Sequence, residues 1–299
     1  MVDYYIDLGS STIKVYKYED KVLTLIDEHS IHFKNDFDSI KGLSEINRKD
    51  LFEYFQDLKT TYNLRYENTH IFATGIFRSL CYEAKRELVT YFNDSFDLHF
   101  DIISHGIENY YIGKAMENDY SNKKVMIINM GGKTTELITF ENNKITDRMN
   151  INTGVGELIS TFPNVNDSLS TVTIEEINDF VKEKIKDIKF DIDYDCAIFT
   201  GGEERWQKLT KYNIVPNTLF DDGIHKYMIS YDDYISGSQK AFFEITMEEL
   251  YNLMPKNPKW MDGARPGAIL PVAIFDMAKI DTIIPSDLNL INGVINDID

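Results

Sequence analysis

The stretch Val125–Leu137, VMIINMGGKTTEL, constrains the fold more than any other part of the chain. An apolar run ends at Asn129 and gives way to two glycines, a lysine, two threonines and an acid. That order predicts a buried strand feeding a tight Gly-rich hairpin, with further strands over Thr135–Phe140 and Ile145–Asn150. Glycines let backbone approach a ligand closely, and hydroxyls beside amide N–H groups suit an anion. A hairpin of this kind is usually only a hairpin, but here it has an echo. Tyr4-Tyr5-Ile6 runs into Asp7-Leu8-Gly9-Ser10-Ser11-Thr12, and Ile13–Tyr18 continues as an alternating strand. Laid over the first stretch without gaps, Asp7 falls on Asn129, Gly9 on Gly131, Ser10 on Gly132, Ser11 on Lys133 and Thr12 on Thr134. Two copies of strand, polar turn and strand predict two α/β domains of like topology facing each other across a cleft, both turns aimed at one ligand.

A length of 299 residues suits two domains, and 43% hydrophobic residues suffice for two cores. The sequence lacks both a long apolar run and a basic-then-apolar leader, so we expect neither a membrane nor a secreted protein. Cys81 and Cys196 match no metal or redox spacing, which points to a reducing, cytoplasmic setting. A net charge of −18 argues against nucleic acid as a partner. Any anionic ligand must then be held by a local cluster of donors and cations.

Along the chain, Lys21–Ile26 reads as a third strand, and residues 48–60 as an amphipathic helix carrying Leu51, Phe55 and Leu58. His70–Thr74 is a strand that opens into Gly75-Ile76-Phe77-Arg78 and a helix through about Phe92. Arg78 thus lies just past a strand end, the edge where open α/β sheets bind ligands, and guanidinium is the usual bidentate partner of phosphate. Leu98–Ile103 is the next strand, and Ser104 to Glu108 lead into a helix running to about Asn118. Glu108 in the first turn has two readings: an acid favoured by the helix dipole, or a general base orienting a water. His105 is a second candidate or a loop hydrogen-bonder. The polar stretch Asp119–Lys124 marks the boundary between domains 1–120 and 121–299. In the second half, Thr153–Glu157 turns into a helix, and Thr173 caps another with Glu176 at the capping-box position. Cys196–Thr200 is a buried strand ending in Gly201-Gly202, where backbone can lie against phosphate or a nucleotide. Trp206 and Leu209 suggest a helix after it, and Ala264–Ala268 opens one more.

DLGSSTIKVY, ATGIFR, IISHGIEN, INMGGKTTEL, INTGVGEL, FTGGEE and ARPGAILPVAI occur in this order. In these segments the chain resembles the exopolyphosphatase/guanosine pentaphosphate phosphohydrolase family of the actin–hexokinase–Hsp70 superfamily, in its short two-domain form. The resemblance implies two actin-like (ribonuclease H-like) domains with mixed sheets flanked by helices and an active site in the interdomain cleft. It implies hydrolysis of terminal phosphoanhydride bonds of inorganic polyphosphate or guanosine pentaphosphate, with Mg²⁺, by a homodimer. Glu108 then corresponds to the glutamate that activates water. Gly9, Ser10, Ser11 and Thr12 form the first phosphate loop; Gly131, Gly132, Lys133, Thr134 and Thr135 form the second. Arg78 binds phosphate, Gly201 and Gly202 join the phosphate contacts, and Asp7, Asn129 and Glu136 make up the metal side.

The chain departs from that pattern at Asn129 and Lys133, where an aspartate and a glycine are usual. It departs again at Ile107 and Asn109, which flank Glu108 in place of an acid pair, and at Tyr110 and Tyr111, which replace arginines. The first two changes make the second turn more positive and predict weaker cation binding, with Lys133 contacting phosphate directly. Besides the hydrolase, a (p)ppGpp or nucleotide sensor without turnover and an actin-like filament protein are the alternatives.

Overall fold

In the computed structural model, alternation along β1 (Asp3–Leu8) sets the architecture of the first sheet. Ile6 and Leu8 point into one buried cluster and Tyr5 into another on the opposite face. Residues 2–34, 36–118, 120 and 122–298 are described; Asp119 and Ser121, in the stretch that suggests the domain boundary, lie outside the described residues. The chain forms two compact units, Met1–Tyr111 with Leu290–Asp299, and Ile112–Asn289.

In the first unit β2 (Thr12–Glu19) and β3 (Val22–Ser30) follow β1 as antiparallel hairpins. Helix α1 (Glu45–Tyr62) is capped by the Ser44 side chain and buries Leu51, Phe55 and Leu58. Next come β4 (Thr69–Ala73), α2 (Tyr82–Phe96), β5 (Phe100–Ile102) and α3 (His105–Ala115). The sheet order is β3-β2-β1-β4-β5, with β4 parallel to both β1 and β5. The Gly75-Ile76-Phe77-Arg78 stretch ahead of the expected helix is a 3₁₀ turn, Gly75–Ser79, and the helix itself is α2, which runs on past Phe92 to Phe96. Leu80 is extended and Cys81 caps α2, so the helix cannot run through.

The second unit repeats the plan with β6 (Lys124–Met130), β7 (Thr135–Glu141) and β8 (Lys144–Ile151) as consecutive antiparallel strands. Helices α4 (Val155–Thr161) and α5 (Ile174–Ile185) precede β9 (Cys196–Thr200), the strand bounded as its sequence suggests. Thr173 and Glu176 form the expected reciprocal capping box. Then come α6 (Glu203–Leu209), β10 (Val215–Pro216), β11 (Tyr227–Ser230), α7 (Tyr231–Phe243), α8 (Met247–Leu253), α9 (Ala264–Ala278) and β12 (Thr282–Ser286). The sheet order is β10-β11-β12-β9-β6-β7-β8, with β9 parallel to β6 and β12. Met126 and Ile128 face the cluster built on α5 and α9, while Val125 and Ile127 face the opposite one. The last helix, α10 (Leu290–Ile298), belongs to the first unit, where Ile291, Val294 and Ile295 pack on Tyr5 and Tyr16. Among the described residues no helix is long and apolar enough to cross a membrane.

The second core contains a buried acid. Glu203, 7% exposed, follows Gly202 at the start of α6. Burial pushes its carboxyl up to about 8; neighbouring Gln207 and the Tyr234 hydroxyl oppose that rise, and the charge of Asp287 adds to it. A group whose folded value is raised above its unfolded value of 4.5 holds a proton in the native state that the unfolded chain has released. Stability therefore falls as pH rises from about 4.5 to 8, by about 1.4 kcal/mol per unit inside that window. Glu203→Gln is expected to remove this slope, so the variant gains on wild type at pH 8 and not at pH 4.5. Urea unfolding at the two pH values checks it, and equal slopes for both proteins would refute it.

Candidate active site

Three adjacent parallel strands of the first sheet deliver the charged residues. Asp7 is the penultimate residue of β1, Arg78 lies in the turn after β4, and Glu108 in the first turn of α3, after β5. All three therefore sit at the carboxyl edge of one sheet, where the strand order turns from hairpins to parallel pairs. Arg78 Nη1 donates to Glu108 Oε2, and the two side chains are 12% and 10% exposed. The other guanidinium donors, Nε and Nη2, are buried and meet no acceptor among the described residues. Those two N–H groups form the side edge of the guanidinium, the pair that grips two oxygens of one anion.

Asp7 is buried with charges of both signs near it. Burial pushes its carboxyl up to about 6; the positive charge of Lys14 opposes this, and the negative charge of Glu108 adds to it. A His105 ring nitrogen lies within 4.8 Å of a Glu108 carboxylate oxygen. A carboxylate kept from water is one that a hard cation such as Mg²⁺ can ionise and bind, so the chemistry of Asp7 fits such an ion.

The first loop is tightly bonded to its surroundings. The Gly9 amide donates to Thr12 O at 3.0 Å, Ile31 N donates to Ser11 O at 3.1 Å, and the Thr12 and Ser30 hydroxyls lie 3.4 Å apart. Ser10 is 4% exposed and its hydroxyl accepts from Ile76 N at 2.8 Å.

In the second unit, Asn129 and Glu136 are cross-strand partners, and Asn129 Nδ2 donates to Glu136 Oε2 at 3.0 Å. Asn129 is penultimate in β6, as Asp7 is in β1. The loop after it is stapled to the turn before α4: Val155 N donates to Gly131 O at 3.1 Å and Gly156 N to Gly132 O at 2.8 Å. In a trans peptide the carbonyl and the next N–H point in opposite directions. The amides of Gly132 and Lys133 are therefore both turned away from α4, a paired N–H arrangement suited to an anion. Gly154 makes the staple possible, since a Cβ there would lie 2.5 Å from Gly131 O and 2.7 Å from Lys133 N. The Thr135 hydroxyl, in contrast, is spent on Thr153 O at 2.8 Å, and Thr134 is buried. Gly201 and Gly202 follow β9 at the same sheet edge, with φ of +123° and +118° that favour glycine. A Cβ at Gly201 would lie 3.3 Å from Met130 O, and one at Gly202 would lie 3.0 Å from the Trp260 ring.

Sequence reasoning missed the buried chain Asp222–His225–Ser286. His225 Nδ1 lies 2.6 Å from Asp222 Oδ2, and Nε2 lies 3.1 Å from Ser286 Oγ. Ser286 also accepts from Leu288 N, and Leu288 O accepts from the Thr200 hydroxyl, so this network braces the segment beside the Gly201 turn. Only the Asp-x-x-His spacing hints at it, and Ser286 is too distant in the chain to be paired with it by eye.

A hairpin-hairpin-parallel sheet built twice, each copy flanked by helices and carrying polar turns at its parallel-strand ends, defines a two-domain actin-like α/β protein. The model of the Ppx/GppA phosphatase family matches residues 31–298. The chain belongs to that family. A Ppx/GppA family member from Aquifex aeolicus superposes with a TM-score of 0.69 at 18% identity, over 99% of this chain and 97% of that one. An exopolyphosphatase from Cytophaga hutchinsonii gives a TM-score of 0.75 at 14% identity, over 100% of this chain and 97% of that one. At such identities the likeness establishes the fold. No functionally curated protein matches the sequence.

Proposed function

We propose that the protein hydrolyses terminal phosphoanhydride bonds of inorganic polyphosphate or guanosine pentaphosphate. The observation that carries this is Arg78: one donor is tied to Glu108, and a buried side edge, Nε with Nη2, is left for two oxygens of a terminal phosphate. Arg78 thereby fixes the carboxylate of Glu108 relative to the phosphorus. Glu108 takes a proton from a water that attacks phosphorus in line; the P–O bond to the rest of the chain breaks, and inorganic phosphate leaves. Asp7 would hold Mg²⁺, which when bound neutralises phosphate charge. Family membership and the exopolyphosphatase fold support this reading.

Arg78→Lys tests it. Lysine keeps the charge but cannot grip Glu108 and two phosphate oxygens together. Phosphate release from tripolyphosphate is expected to lose about 10–10²-fold in kcat/KM, the worth of one or two charge-assisted bonds. Wild-type kinetics in Arg78→Lys would remove Arg78 from phosphate binding.

A second reading, nucleotide capture without turnover, is favoured by Asn129. Its amide donates to Glu136 where a second carboxylate would otherwise face it, so this turn has less need of a cation. Chelation by EDTA is accordingly expected to weaken tripolyphosphate binding only modestly, and Lys133→Gly to weaken it more. Full loss of binding on chelation, with Lys133→Gly unaffected, would show a conventional metal site. Calorimetric binding measured beside phosphate release separates the two readings, because tight binding with no release ends the hydrolase claim. Cytoplasmic location and a homodimer complete the proposal, the latter tested by light scattering.

A further inference from the structure

We infer, on the reading of Arg78 as the phosphate fork, that Ser10 is a positioning residue that seats the Arg78 turn and is not itself a phosphate ligand. The turn Gly75–Ser79 is a 3₁₀ helix whose own N-cap residue, Thr74, makes no side-chain capping bond. The first N–H groups of any helix need an acceptor, and a side-chain oxygen normally gives it from the preceding residue. Here the acceptor comes from another segment: Ser10 Oγ takes the Ile76 amide at 2.8 Å. The backbone around it is pinned in the same sense, with Thr74 N donating to Leu8 O at 3.0 Å.

Gly75 shows how close the seat is. It has φ of +53°, and a Cβ built on it would fall 1.9 Å from Ser10 Oγ and 3.2 Å from Ser10 Cβ. No side chain fits at position 75 while the Ser10 hydroxyl is in place. The first loop and the Arg78 turn are thus interlocked, oxygen into glycine, and Arg78 follows two residues after the capped amide. Ser10 is 4% exposed, which leaves its hydroxyl directed at the turn and not at an open face. Losing the cap frees the turn and shifts the guanidinium edge. A misplacement of about 1 Å in such a group is enough to cost on the order of 10²-fold in rate.

The test is a double-mutant cycle on tripolyphosphate hydrolysis, with amide hydrogen exchange as the independent readout. Ser10→Ala removes one oxygen and is expected to lower kcat/KM by about 10–10²-fold, with an unfolding midpoint within a few degrees of wild type. Exchange at the Ile76–Ser79 amides is expected to accelerate, and exchange elsewhere in the unit to stay unchanged. In an Arg78→Ala background the same Ser10→Ala change should cost no more than about twofold, because it acts through Arg78. A full additional loss in that background makes Ser10 a direct ligand and overturns the inference. So does unchanged exchange at Ile76. If Arg78→Ala alone leaves kcat/KM intact, the phosphate-fork reading fails, and accelerated or unchanged exchange at Ile76 in Ser10→Ala still decides the seat. Gly75→Ala should reproduce the Ser10→Ala exchange pattern where it folds; where it does not, Ser10→Ala carries the test.

Discussion

Replacing Glu108 with glutamine is expected to abolish most turnover, lowering kcat by about 10²–10⁴-fold, the usual loss when a positioned general base is removed. Glutamine has the same shape, and its carbonyl oxygen can still accept from Arg78 Nη1, so the guanidinium keeps its place. Tripolyphosphate affinity should therefore remain within a few fold of wild type. The alternative role of Glu108, an acid at a helix start, makes a different forecast. Exposed acids there contribute about 0.3–1 kcal/mol through the dipole, so glutamine would lower stability slightly and leave turnover alone. Glu108 is 7% exposed and bonded to a guanidinium, which sets it apart from an ordinary solvated helix-end acid. Phosphate release and calorimetric affinity, measured on one preparation, separate the two outcomes. Retained turnover in Glu108→Gln would return the residue to its structural role.

The second large effect is expected far from the chemistry, at Arg265. This arginine is fully buried in the second unit. Its five N–H donors all go to backbone carbonyls: Nε to Ala241, Nη1 to Val165 and Asp167, Nη2 to Ser168 and Ile245, at 2.6–3.0 Å. Burial pulls its pKa down to about 10, so it remains charged at neutral pH. One side chain thus closes the backbone of the 165–168 segment, the end of α7 and the turn before α8. Arg265→Met fills the space but takes a donor from five carbonyls; Ser168 O keeps Met247 N, and each of the other four is worth about 1–3 kcal/mol when left without a donor. Relaxation and water will recover part of that sum. A net loss of about 4–5 kcal/mol is expected, in the range reserved for broken buried networks. Arg265→Lys should fall between, since three donors on a point charge cannot serve five carbonyls. Urea unfolding provides the measurement; a wild-type midpoint for Arg265→Met would refute the account.

Much of the first-order organisation was legible because it is local. Apolar runs, Gly-rich turns and capping boxes act over a few residues, so β9, the α5 cap and the two hairpins could be read directly. The alignment of Asp7 with Asn129 also has a structural counterpart, because each is penultimate in the strand from which its sheet's hairpins begin. The break between the Arg78 turn and α2 was not legible. It depends on Leu80 being extended, on Cys81 capping α2 and on Cys81 N reaching Ser39 O, and no periodicity records such a contact.

The tyrosines at 110 and 111, where the family pattern has arginines, show the same division. In sequence they read only as a departure from the family pattern. In the structure Tyr110 donates to Asp297 at 2.5 Å and Tyr111 packs with Phe72 against the cluster that α10 completes, so both serve the docking of the C-terminal helix. The sequence by itself determined the α/β class, the duplicated strand-turn-strand plan, the family and the candidate residues Asp7, Arg78, Glu108 and Asn129. Tertiary structure alone decided what those residues face: Arg78 on Glu108, Asn129 on Glu136, Ser10 under Ile76, and Arg265 among carbonyls. The reason is physical: strand and helix signals come from neighbours along the chain, whereas a hydrogen-bond partner is fixed by the packing of segments dozens of residues apart.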